Sequence, residues 1–164
     1  MTGYSRRVMA AHLPIERLDE EMLPQILDIE RQCYAFPWNE RIFRSCLEHE
    51  DYQCWGLRCD EDLIAFAVIH RILDEHHLLN LCVRPGAQGQ GVARVMLRHV
   101  LAVALAQQAA CVTLEVRESN KRARSLYASE GFLESGVRPD YYRDGRGREA
   151  AVIMHHWFLA PAAG

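Results

Sequence analysis

The run Gln88-Gly89-Gln90-Gly91-Val92-Ala93 is the densest chemical signal in the chain. It lies between an apolar stretch that reads as a strand and the start of a long helical pattern. Small residues at such a turn let the backbone approach a ligand closely. A helix N-terminus adds free N–H groups and the positive end of a dipole. Together these features suit a diphosphate. By itself a glycine-rich turn is weak, because many are merely tight turns. The G-x-G-x-x-G spacing of a dinucleotide fold is absent, the preceding strand opens no βαβ unit, and no Lys-Ser/Thr follows to make a Walker loop.

The elements that must position this turn follow from periodicity. Leu13 to Leu18 reads as a short strand, and Asp19-Glu20-Glu21 opens a helix with Leu23, Ile26, Leu27 and Ile29-Glu30 at helical spacing. Pro24 is tolerated because it falls near the start. After a break at Ala35-Phe36-Pro37-Trp38, Asn39 caps a second helix carrying Ile42, Phe43, Cys46 and Leu47. Tyr52 to Cys59 and Leu63 to Leu73 form a hairpin around Asp60-Glu61-Asp62, and His77 to Val83 is a further strand. Gly91 to Gln108 is the clearest helix, with Val92, Met96, His99-Val100 and Val103 on one face. Cys111 to Val116 is a strand. Asn120 caps a helix ending at Gly131, and Phe132 to Val137 and Ala150 to Phe158 are the last two strands. The expected architecture is α/β, a mixed sheet of about seven strands with helices on both faces.

In this setting Gln-x-x-Gly-x-Ala after Leu81-Cys82-Val83 resembles the acetyl-CoA-binding motif of the GNAT acetyltransferases. The order of elements agrees with that fold along nearly the whole chain. Phe36-Pro37-Trp38-Asn39, Leu114 to Asn120, Leu126 to Phe132 and Tyr141-Tyr142 are similar, in the same order, to segments of the RimI-type ribosomal-protein alanine N-acetyltransferases. Several motifs in the correct order are far more specific than any one.

The resemblance implies a mostly antiparallel sheet with a splay between its central strands. Backbone groups of Leu81, Cys82 and Val83 would hold the pantetheine arm of acetyl-CoA, the cosubstrate. The amides of Gly89, Gln90, Gly91, Val92, Ala93 and Arg94 would hold the diphosphate, with Gln88 and Asn120 as further contacts. A backbone N–H beside the thioester would act as an oxyanion donor. Glu115 matches the general base and Tyr127 the general acid. Each also has a plain reading, as a solvated strand carboxylate and as a packed helix aromatic. Trp38, Tyr141 and Tyr142 match loops flanking the acceptor groove. Cys82 reads as packing, since the family transfers acetyl directly. Gly89 stands where many relatives carry Arg.

Bulk properties fit this reading. The 164 residues suffice for one domain with its own core, expected over 13–164, with 1–12 as a flexible extension. No apolar run approaches the roughly 20 residues that span a bilayer, and no secretory stretch follows the N-terminus, so a cytoplasmic protein is expected. Six cysteines without a C-x-x-C pair imply free thiols. Cys54 and Cys59 with nearby histidines match no zinc spacing, and no metal is expected. Net charge is −3, with residues 1–80 acidic and 81–164 basic. That asymmetry suits an anionic cofactor in the second half and a cationic partner at the first. The expected partner is the N-terminal peptide of a small-subunit ribosomal protein, met by a monomer without nucleic acid or membrane. The cationic loop Gly145-Arg146-Gly147-Arg148 fits a basic peptide less well. The rival readings are a transferase acting on a small amine or a lysine, and an idle acetyl-CoA-binding module.

Overall fold

The computed structural model describes residues 9–159. Seven strands form one sheet in the order β1-β2-β3-β4-β5-β7-β6. They are β1 (Ile15–Arg17), β2 (Tyr52–Cys59), β3 (Asp62–Ile72), β4 (Glu75–Val83), β5 (Cys111–Arg117), β6 (Leu133–Asp144) and β7 (Gly147–Trp157). Only β4 and β5 run parallel; every other neighbouring pair is antiparallel. The helices are α1 (Leu23–Cys33), α2 (Glu40–Glu48), α3 (Val92–Ala106) and α4 (Lys121–Ser129).

β3 explains how the sheet is held. Leu63 to Ile69 is an unbroken apolar run, as expected of a strand covered on both faces. Ala65, Ala67 and Ile69 join Met96, Leu97 and Val100 of α3 and Tyr127 and Phe132 beyond. Phe66 and Val68 meet Ile26 and Ile29 of α1 and Phe43 of α2. Phe43 and Phe66 meet edge to face, with centroids 5.6 Å apart. Burying side chains of this size contributes roughly 1.5–3 kcal/mol each, so the two helical layers are held by apolar contact.

The caps agree with the sequence. Asn39 Oδ1 accepts the Ile42 N–H at 3.0 Å, and Asn120 Oδ1 accepts that of Ala123 at 3.2 Å. Asp19 instead caps a 3₁₀ turn, Glu20–Met22, and α1 begins after it with Pro24 in its first turn. A 3₁₀ turn at Ala10–His12 places Ala10 in the core beside α3, so packing begins before residue 13. Residues 1–8 of the expected extension lie outside the described residues. β6 runs seven residues past its expected end at Val137. Tyr141 and Tyr142 therefore belong to a strand rather than a loop.

Candidate active site

The site is built on a break in the sheet. β4 pairs with β5 only from Glu75–Cys111 to Leu78–Leu114. Beyond these residues the strands diverge, and each remains paired only on its outer side. Leu79 is bulged out of the β3–β4 ladder, between Leu78 and Asn80. A bulge of this kind bends its strand, which here accompanies the opening.

Register decides which backbone groups enter the gap. The Arg84 N–H bonds Ile64 O at 2.8 Å, so by antiparallel alternation Cys82 bonds Phe66, and Leu81 and Val83 point away from β3. Two side chains confirm this direction. Tyr34 Oη donates to Leu81 O at 3.3 Å, and Gln88 Nε2 donates to Val83 O at 3.1 Å. The carbonyls are thus occupied, and the Leu81 and Val83 N–H groups face the gap. Cys82 contributes neither backbone nor side chain to it. Its thiol sits in the α1 layer, 4.0 Å from Ile29 O, and the hydrogen-bonded Cys33 thiol together with burial raises its pKa strongly. On this geometry the Cys82 backbone is engaged with β3 and its side chain packs in the α1 layer, as the packing reading expects.

A cleft of about 690 Å³ runs from the gap over the N-termini of α3 and α4. Leu81, Val83, Gln88, Gly89, Gly91, Val92, Ala93, Arg94 and Asn120 all line it. Gln90 does not. Gly89 and Gly91 hold φ of +77° and +79°, a left-handed backbone that side chains disfavour. Gly91 is the N-cap of α3, and the amides of Val92 to Arg94 have no carbonyl of the preceding turn to bond. An N-terminus of this form takes anions. The size of the cleft and its free amides fit a nucleotide thioester.

A second cavity, about 230 Å³, lies on the α1 side of the same gap. Trp38, Glu115 and Tyr142 line it; Tyr141 does not. Leu81, Asn120, Ala123 and Tyr127 line both cavities, which makes Tyr127 a wall common to the two. Burial pushes the Tyr127 phenol up to about 12, so it keeps its proton at neutral pH. Its ring packs on Phe132, with centroids 5.7 Å apart. Glu115 is half-buried at the first residue of β5 past the last β4 pair. Arg138 Nε lies 3.2 Å from its Oε1, and the Tyr141 phenol donates to the same carboxylate, which raises the pKa of Tyr141. Tyr141 thus stands beside Glu115, outside the lining of the cavity. Tyr142 is fixed by the Arg117 guanidinium, 4.6 Å from its ring centre.

Sequence reading missed the floor of this second cavity. Glu30 is 1% exposed, and its carboxylate accepts the Trp38 N–H at 3.0 Å and Asn80 Nδ2 at 2.9 Å. Burial pushes this carboxyl up, against those two hydrogen bonds. Tyr34 Oη reaches both Asn80 Oδ1 and Leu81 O at 3.3 Å. The network ties the Tyr34–Trp38 loop to β4. Its signal was present, a carboxylate inside the apolar stripe of α1.

Comparisons with known proteins agree with this architecture. The acetyltransferase (GNAT) family model matches residues 23–132. The [ribosomal protein bS18]-alanine N-acetyltransferase of Escherichia coli K12 is 39% identical over 140 residues, covering 85% of this chain and 94% of that protein. The crystal structure of the ribosomal-protein-S18-alanine N-acetyltransferase from Escherichia coli superposes with a TM-score of 0.85 at 37% identity, over 91% of this chain and 96% of that one. Arabidopsis thaliana NAA60 in complex with acetyl-CoA shares the fold, with a TM-score of 0.81 at 16% identity over 88% and 98%.

Proposed function

The chain belongs to the GNAT acetyltransferase family and is an acetyl-CoA-dependent N-acetyltransferase, and from that premise we propose that its acceptor is the N-terminal α-amine of a protein, an alanine of a small-subunit ribosomal protein. The relatives at 35–39% identity carry that activity in their names, and they are matched over most of their length. The observation that carries the mechanism is the pair Glu115 and Tyr127, both on the wall of the smaller cavity, with Tyr127 also on the wall of the larger.

Acetyl-CoA supplies an acyl group already activated as a thioester. The free N–H groups at Gly91 to Arg94 hold its diphosphate, and those of Leu81 and Val83 receive the pantetheine arm and polarise the thioester carbonyl. The acceptor enters past Trp38 and Tyr142. An α-amine has a pKa near 8, so part of it is neutral at physiological pH, and Glu115 removes the remaining proton directly or through water. The neutral amine nitrogen bonds the acetyl carbon and releases its surplus proton to Glu115 or water, the carbon–sulfur bond breaks, and Tyr127 gives its proton to the departing sulfur and regains one from solvent. Arg138 and Tyr141 hold the Glu115 carboxylate in place. Acid groups at the acceptor side, Glu30 and Glu115, suit a cationic N-terminus.

The test offers one acetyl-CoA pool to three acceptors: an alanine-starting basic peptide, the same peptide blocked at its N-terminus but bearing lysine, and a set of polyamines. Acetylation of the first alone is expected. Preference for either of the others moves the acceptor class, and tight acetyl-CoA binding without turnover on any amine favours a non-catalytic module.

A further inference from the structure

The phosphate loop carries no charge of its own. Gln88, Gly89, Gln90 and Gly91 are neutral, and Gln88 is committed to Val83 O. Two cations line the larger cleft, Arg94 and Arg122. Arg94 Nη1 is held by Glu130 and by Ser129 Oγ, and Glu130 also binds Arg98. Further along α4, Arg124 is taken by Glu134 and by Glu118 O. Arg122 differs. Among the described residues it makes no hydrogen bond, ion pair or ring contact, and it is exposed at the mouth of the cleft. Its Nη2 stands 3.7 Å from the point where a Cβ on Gly89 would lie. A free guanidinium from α4 therefore overhangs the loop that starts α3.

We propose that Arg122 supplies the cationic contact to the diphosphate of acetyl-CoA, reaching across the cleft to close over the Gly89–Gly91 backbone. The assignment rests on the cofactor reading above. A guanidinium offers parallel N–H donors that match two phosphate oxygens, and the free amides of α3 meet the same group from beneath. Glycine at 89 keeps the space under the guanidinium clear. Arg122 binds and does not take part in proton transfer.

The test is calorimetric titration of the whole protein and its R122Q and R122K forms with acetyl-CoA and with acetyl-3′-dephospho-CoA. Arg122 has no packing partner to lose, and matching melting curves verify the fold. R122Q is expected to raise Kd about ten-fold on both cofactors, with an intermediate value for R122K. A penalty seen with acetyl-CoA but absent with the dephospho form assigns Arg122 to the 3′-phosphate and overturns the diphosphate contact. Equal affinities for wild type and R122Q overturn it altogether. Failure of the wild-type protein to bind acetyl-CoA is a separate result, which removes the cofactor reading and this assignment with it.

Discussion

Replacing Tyr127 with Phe separates chemistry from packing unusually well. The ring is 9% exposed and packs on Phe132, and Phe keeps those contacts. Among the described residues the hydroxyl has no hydrogen-bond partner to lose. The stability cost is therefore expected below about 0.5 kcal/mol, which at this chain length moves Tm by no more than about 2 °C. Acetyl-CoA affinity should also hold, because the proposed phosphate contacts lie elsewhere, at the start of α3. Turnover behaves differently. A positioned proton donor contributes roughly 10²–10⁴-fold, equivalent to about 2.7–5.4 kcal/mol of barrier. Following free thiol released from acetyl-CoA with an alanine-starting peptide, kcat for Tyr127→Phe should fall into that range at unchanged Tm and cofactor Kd. Full turnover in a folded variant would refute the proton-donor role. A large fall in Tm would show that the hydroxyl serves the fold.

Glu115→Gln is expected to slow the reaction most at low pH and to recover partly towards pH ~8, where the amine deprotonates itself. A constant ratio to wild type across pH, measured by kcat/KM, counts against a base. Gly91→Ala meets no atom within 4 Å, so its cost is the left-handed backbone alone, about 1–2 kcal/mol. Denaturant midpoints check it, and an unchanged midpoint shows that the turn relaxes. His76 is buried with Nδ1 unbonded among the described residues, and His99 is half-buried; burial lowers both pKa values. The unfolded chain then binds protons more readily near pH ~6.5, so stability is complete above that value and declines as pH falls below it. Tm measured from pH ~8 to ~5.5 should drop, and His76→Phe should flatten the fall.

The parts of the molecule that follow local rules were legible in the sequence. α3 shows a long apolar stripe and a glycine start, and the caps at Asn39 and Asn120 lie where their side-chain chemistry puts them. β6 was not legible to its end. Pro139 and Asp140 would interrupt an inner strand, yet β6 is the sheet edge, where a missing N–H costs nothing. The irregularity between Arg138 and Tyr142 absorbs both, with Asp140 at φ +53°. That same irregularity brings Arg138 and Tyr141 to Glu115, so part of the site's electrostatics was hidden with it. The backbone direction of Cys82 was not legible either, because it depends on the register of β4 against β3, which one strand's residues do not encode. Glu30 needed the fold too, since its partners lie on the α1–α2 loop and on β4.

Amide hydrogen exchange with and without acetyl-CoA probes the splay most directly. Leu81, Val83 and the first turn of α3 should become protected when the cofactor is added, while Cys82, already bonded to β3, should exchange slowly in both states. Protection absent from the gap between β4 and β5, at cofactor concentrations that saturate binding, would contradict the placement of the thioester there.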